Sequence, residues 1–537
     1  MSLQTGRYAM ASPPQLAEGW RLERLTPISR VFGANGLRAG PDGRVYVAQV
    51  TGSQISALDV ATGRLETISA KGGEIVAPDD VAFDPHGNLY VTEVMDARVS
   101  VLGVDGRTRV LRDDVPGANG ITFHQGRLFI DECRIGGRLL ELDLGGGAPR
   151  VLLEDLPLPN ALAVGPDGLL YFPLMGANEI WRVHPDGGAA ERVVGDLGVP
   201  DAVKFDSKGY IVSTQVQTGE VLRIDPRTGS RSVLAALDPG LDNLTFAGDR
   251  LFVSHFSGRI TEILGGGASR ELLPGGLNWP LDLAIGDDGQ LYVADGTSLF
   301  VLSPGRELRC VAMLFTPGYP GFLRGLAPAP GGGFAVTTSG GQVALYRPWE
   351  NKSEVLADGL DQLYGVAVAP GGAIVVAELG AGRVLSIQSG EVAVQATGLH
   401  DPLGVAIGSG GACFVSEAGA GRVVELTAGG VETVVDGLQQ PQGILVREGQ
   451  LYIVDAGTKA LIAFDIESRA RRTIAAGLPV GAPPGVIPKP LRGLPPFSGP
   501  QGPFAGITAG SDGTLYVSAD AEGSVLALRS GDADRRS

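Results

Sequence analysis

Histidine and cysteine are scarce in this chain: its 537 residues include five His and three Cys. Cys133, Cys310 and Cys413 are scattered and odd in number, which fits neither a disulfide framework nor a zinc ribbon. Reduced thiols in a cytoplasmic protein are the expected state. No run of about 18 apolar residues occurs, so no transmembrane helix is expected. The opening stretch MSLQTGRYAMASPPQ lacks the apolar core of a secretory signal. Basic residues are in deficit, 43 Lys and Arg against 59 Asp and Glu, for a formal charge of −16. Nucleic acid and anionic membrane, which need a basic surface, are therefore not expected as partners. Neither a Gly-x-Ser-x-Gly elbow nor a phosphate-binding loop is present, which disfavours serine-hydrolase and nucleotide-dependent chemistry.

Glycine, in contrast, is abundant at 82 residues, and it punctuates a repeat of roughly 40 residues. Each copy has a short apolar strand, a turn such as GPDG or DPHG, the pattern LYV, a hairpin and two further strands. Alternating apolar residues between Gly and Asp turns mark antiparallel strands, and no segment carries the helical period that a βαβ unit needs. The second strand recurs twelve times, from Val45-Tyr-Val to Leu515-Tyr-Val, with Tyr210-Ile-Val as the fifth copy. Twelve four-stranded units predict an all-β chain of two tandem six-bladed β-propellers. The last unit is short of a strand and the N-terminus has one to spare, starting at Trp20. Strand exchange between ring ends is expected: the Trp20 strand beside the one at Arg259, and SRELL beside SVLALRS. Exchange of this kind removes open edges. The expected division is a flexible 1–19, a first propeller at 20–267 and a second at 268–537. A Pro/Gly-rich insertion at 477–504 is expected over one mouth of the second ring, as a lid or a contact between the propellers.

One position stands out in the first half. Asn35, Asp79, Asn119, Asn160, Asp201 and Asp242 open the innermost strands, at spacings of 44, 40, 41, 41 and 41. In a closed ring all six face the axis. Carboxylate and amide oxygens are what a hard cation takes, so a divalent ion is expected there. Ca2+ is the first choice, with Mg2+, Mn2+ and Zn2+ as alternatives. Asn and Asp also cap strand entries for purely local reasons, and the second half should then repeat them. It does not: Leu281, Arg324, Tyr364, Leu403, Gln442 and Ala505 stand at the equivalent places.

The strand after each turn ends at a second layer: Gln49, Glu93, Glu132, Leu174, Thr214 and His255. Glu93 precedes Arg98 by five residues and Glu132 precedes Arg138 by six. Glu378/Arg383 and Glu417/Arg422 repeat this in the second half, which reads as an ion pair across the hairpin. Glu132 is balanced between that role and catalysis. His255 has no counterpart, and an imidazole near a metal can act as general base or acid.

Leu158-Pro-Asn160-Ala-Leu and Pro200-Asp201-Ala-Val-Lys-Phe-Asp206 resemble segments of the regucalcin/gluconolactonase (SMP-30/gluconolactonase/LRE-like) family of six-bladed propellers, and Ala118-Asn-Gly-Ile resembles its blade-3 motif. More loosely, the first half resembles streptogramin B lyase and NHL-repeat proteins. The resemblance implies Asn160 and Asp201 as metal ligands, Asp201 also as a possible base, and Asn119 as the matching blade-3 residue. The family's first-blade Glu is replaced by Asn35.

Three readings follow. The first is a metal-dependent hydrolase of a lactone or related ester, with Asp201 or His255 activating water. The second is a metal-dependent lyase with His255 as base. The third is a binding scaffold with a structural cation. A small-molecule substrate is the expected partner in the first two. The second ring is expected to bind part of a substrate, to stabilise the first, or to mediate homodimerisation, alternatives that the residues leave open.

Overall fold

The computed structural model describes residues 7–8 and 12–531. The flexible N-terminus expected at 1–19 lies partly outside these, as does the terminal DADRRS. Among the described residues there are twelve antiparallel sheets, eleven of four strands and one of five, and two short 3-10 turns. None of the described helices is long and apolar enough to cross a membrane.

Two compact units divide the sheets six and six, the build of two tandem propellers. One spans Arg30–Gly275 together with Val486–Leu494; the other comprises Met1–Ser29, Gly276–Gly485 and Pro495–Ser537. Within the first, the blades run from Leu37–Ala39 to Ala268–Leu273, each built from four consecutive strands.

The ring ends differ from expectation. Trp20–Arg24 pairs with Ser524–Ser530, Trp20 opposite Ser530 and Arg24 opposite Leu526, and so completes the last blade of the second propeller. Ala268–Leu273 pairs with Ile260–Gly265 in its own blade. A hairpin through Gly265, Gly266 and Gly267, all at positive φ, closes a short loop. Closing a short loop costs far less chain entropy than exchange across a whole ring. The boundary accordingly falls after Gly275 rather than near Gly266. Gln15–Leu16, inside the segment expected to be flexible, adds a fifth strand beside Ala475–Ala476.

Hydroxyl groups bind three blades of each propeller to the next. Thr92 Oγ1 accepts the Asp80 amide at 3.1 Å and donates to the Asn119 carbonyl of the following blade at 2.5 Å. Thr214 bonds likewise to the Ala202 amide and the Asp242 carbonyl. Ser254 takes the Asn243 amide and reaches the Asn35 carbonyl at 2.7 Å, so the sixth blade bonds back to the first. Thr337, Ser416 and Ser518 repeat the arrangement in the second propeller, Ser518 reaching Leu281 at 2.6 Å. Each such bond contributes about 1 kcal/mol. The residue after each ring position is usually glycine because the next blade's backbone is against it. A Cβ on Gly36 would lie 2.2 Å from the Asp79 carbonyl oxygen, and one on Gly443 2.4 Å from that of Ala505.

Candidate metal and active site of the first propeller

The six ring residues begin the innermost strands of six neighbouring blades, and the hydroxyl relay holds the carbonyls of Asn35, Asn119 and Asp242. Asn119, Asn160, Asp201 and Asp242 are buried; Asn35 and Asp79 are partly exposed. Four of them are linked side chain to side chain. Asn35 Nδ2 donates to Asp242 Oδ2 at 2.7 Å, and Asn160 Nδ2 donates to Asp201 Oδ2 at 3.0 Å. The Asp201 and Asp242 carboxyl groups act on each other's ionisation. The result is one polar chain, Asn35–Asp242–Asp201–Asn160, across four neighbouring blades.

No donor reaches the buried Asp201 Oδ1. Burial pushes the Asp201 carboxyl up to about 7, with Asp79, Asp80 and Asp131 adding to the shift and Asp242 opposing it. Asp242 is raised by burial and by Asp201, and Asp79 by burial, Asp242 and Asp80. Withdrawal from water and like charge together favour the neutral acid.

Sequence reasoning missed part of this cluster. Asp131 occupies the blade-3 place where blades 2, 5 and 6 carry the relay hydroxyls of Thr92, Thr214 and Ser254. Its Oδ1 accepts the Gly120 amide at 3.0 Å, its Oδ2 has no partner, and burial raises its carboxyl well above the ordinary range. Comparing LYVTE, LFIDE and LFVSH would have found it: Asp stands where Thr and Ser recur. Lys204, three residues beyond Asp201, is buried with Nζ unpartnered. Burial and Arg38 pull its ammonium down to about 8, against the opposing pull of Asp80, Asp201 and Asp131. Arg38 donates to the Val81 carbonyl at 2.7 Å, to the Ile121 carbonyl at 2.8 Å and to Asp80 at 3.3 Å. Five carboxyl groups, Asp79, Asp80, Asp131, Asp201 and Asp242, thus sit with two cations, Arg38 and Lys204. The corresponding inner-strand positions of the second propeller hold Ala284, Ala327, Ala367, Ala406, Leu445 and Thr508.

The other two candidates lie in the capping layer. Glu132 is fully buried, held by Arg134 at 2.9 Å and by Arg138 through Nε at 2.8 Å. His255 Nδ1 accepts the Ser257 amide at 3.0 Å while Nε2 meets the Pro239 carbonyl at 2.8 Å, so both ring nitrogens are engaged locally. Burial and the neighbouring Arg259 pull the imidazole down to about 4. The same layer caps loops elsewhere: Glu93 accepts the Val76 amide at 2.6 Å and Gln49 the Phe32 amide at 2.8 Å. In blade 5 its member is Gln215, which accepts the Gly198 amide at 2.9 Å, rather than Thr214, which belongs to the relay. That strand begins at Ile211; Tyr210 is still in the turn, its amide bonded to Asp206 Oδ1.

Among the described residues, no group of three His, Cys, Asp or Glu side chains is drawn together as a metal cage. The oxygen set here mixes carboxylates with amides.

Residues 20–255 match the model of the SMP-30/Gluconolactonase/LRE-like region. No curated protein matches the chain in sequence. Among solved structures it is similar to a streptogramin B lyase, at 19% identity and a TM-score of 0.39, over 52% of this chain and 96% of that one. It is also similar to virginiamycin B lyase from Staphylococcus aureus, at 16% identity and a TM-score of 0.38, over 51% and 96%. A gluconolactonase from Xanthomonas campestris is similar at 17% identity and a TM-score of 0.38, over 46% and 93%.

Proposed function

We propose that the first propeller hydrolyses a lactone or related ester at a divalent-cation site on the axial ring. The chain Asn35–Asp242–Asp201–Asn160, inside the stretch that matches the family, carries this reading. The donor set suits a hard cation. Five buried or half-buried carboxyl groups exceed the two cations beside them, Asp201 Oδ1 has no donor, and amide and carboxylate oxygens favour Ca2+ over Zn2+. Asn119, Asn160 and Asp201 would hold the ion, with Asn35, Asp79 and Asp242 completing its charge and surroundings.

When bound, the cation supplies Lewis acidity at the substrate carbonyl and stabilises the developing oxyanion. Asp201 would accept the proton of the attacking water. The water oxygen bonds to the acyl carbon, the ring C–O bond breaks, and the proton passes from Asp201 to the departing alkoxide. Lactone and water give a hydroxy acid, and Asp201 ends as it began. Asn160 orients Asp201 through its amide, and Asn35 does the same for Asp242. Glu132 and His255 have no step here, since their polar atoms are already committed.

Elimination at the same site differs in its product. A panel of γ- and δ-lactones, assayed by pH indicator and product mass before and after chelation, separates the readings. Hydrolysis adds one water and stops on chelation, whereas elimination adds none. Activity indifferent to both chelation and Asp201→Asn would remove the assignment.

A further inference from the structure

The second propeller has its own buried polar site at the equivalent ring position. Arg324 is 1% exposed, Ser339 2% and Gln501 2%. The Arg324 guanidinium lies 4.5 Å from the Tyr364 ring centre and 5.2 Å from that of Trp279, a stacking geometry favourable to a cation. Its Nη2 donates to the Gly502 carbonyl, while Nε and Nη1 have no acceptor. Among the described residues no carboxylate pairs with Arg324. Burying a charge without a counter-charge is costly.

Residues 495–504 of the insertion close over it. The Gly502 amide donates to Tyr364 OH at 2.9 Å, the Gly499 amide to the Ser339 carbonyl at 2.9 Å, and the Ala505 amide to Gln442 Oε1 at 2.7 Å. These bonds place Gln501 beside Gly502, whose carbonyl meets Arg324, and Ser339 opposite Gly499 of the same segment, and Gln501 Oε1, Gln501 Nε2 and Ser339 Oγ are buried without partners. The unmet groups are the donors of Arg324, Ser339 and the Gln501 amide nitrogen, and one acceptor, Gln501 Oε1. Together they ask for an anionic acceptor and one hydroxyl donor on the same small molecule.

We propose that the second propeller binds a small hydroxycarboxylate beneath residues 495–504, its carboxylate on Arg324 and a hydroxyl on Gln501. This is the product class of the hydrolysis proposed for the first propeller, and only that link rests on the earlier reading; the binding site stands on the second propeller alone.

Calorimetry and thermal shift on the full-length chain would use glycolate, lactate and gluconate, with acetate, inorganic phosphate and chloride as comparators. At least one hydroxy acid should bind about tenfold more tightly than acetate, from the added hydrogen bond. Arg324→Gln should abolish binding, and Ser339→Ala and Gln501→Ala should each weaken it about tenfold. Asp201→Asn, which removes the first site, should leave it unchanged, so the two proposals fail separately. Should Arg324→Gln not fold, the Ser339 and Gln501 variants decide. The proposal is overturned if no hydroxy acid binds, in which case ordered water satisfies these atoms. It is equally overturned if phosphate or chloride binds as tightly, or if the Ser339 and Gln501 variants bind normally.

Discussion

Asp201 and Asp242 are buried carboxyl groups of adjoining blades that act on each other's ionisation, and each accepts a hydrogen bond from an asparagine, Asn160 Nδ2 at 3.0 Å and Asn35 Nδ2 at 2.7 Å. Two adjacent carboxylates cannot both ionise cheaply. Metal-free protein therefore keeps a proton here that the unfolded chain, with carboxyl groups near 3.9, has already lost at pH 5. Stability from this pair is fully present below about pH 4 and is lost as pH rises toward about 7, by up to about 1.4 kcal/mol per pH unit. Asp282 and Asp295 of the second propeller, also near 7 through burial, act with the same sign. Urea midpoints of chelated protein at pH 5 and pH 8 should show the fall. Ca2+ should restore stability mainly at pH 8, and Asp201→Asn should remove that restoration.

The two catalytic candidates should separate on mutation. His255, near 4, is neutral throughout the physiological range and uses both nitrogens for its own loop. His255→Gln should change kcat by less than about tenfold and act mainly on stability, while Asp201→Asn should cost at least about 100-fold. Steady-state kinetics on the best lactone, beside thermal melts of both variants, measures this.

Asp131 replaces a relay hydroxyl by a carboxyl with an unpartnered oxygen. Asp131→Thr should stabilise metal-free protein by about 1–3 kcal/mol by removing that unmet acceptor. It should also weaken cation binding, because a carboxyl group that can ionise beside the bound cation is lost. Denaturant titration and Ca2+ calorimetry on one preparation report the two effects together.

The N-terminal strand can be tested by deletion. Its Glu23 pairs with Arg306 at 2.5 Å and Arg529 at 2.8 Å, and Arg24 pairs with Glu522 at 2.6 Å. Removing residues up to Arg24 opens the edge at Ser524–Ser530. Hydrogen exchange should quicken in the second propeller's last blade, with the blade at Ile260–Gly265 unaffected.

The twelve repeats and the asymmetry between the halves were legible because strand alternation and turn chemistry are local. The ring of Asn and Asp was legible for the same reason, since one position recurs in each blade. Partnership between distant strands was not: Trp20–Arg24 matches any outer strand by composition, and only the Gly265–Gly267 hairpin excludes it from the first ring. The blade-5 slip came from Tyr210, which imitates the start of the LYV pattern while its ring packs 3.8 Å under the Arg223 guanidinium from within the turn. Asp131 and Lys204 were hidden because burial and missing partners are properties of the assembled channel.

A diffraction experiment on crystals grown with Ca2+, and again with Mn2+ for its anomalous signal, would locate the cation. One ion is expected on the axis of the first propeller, with oxygens of Asp201 and Asn160 at about 2.3–2.6 Å for Ca2+. An ion bound away from Asp201 and Asn160, or no ion at a concentration that supports activity, would contradict this.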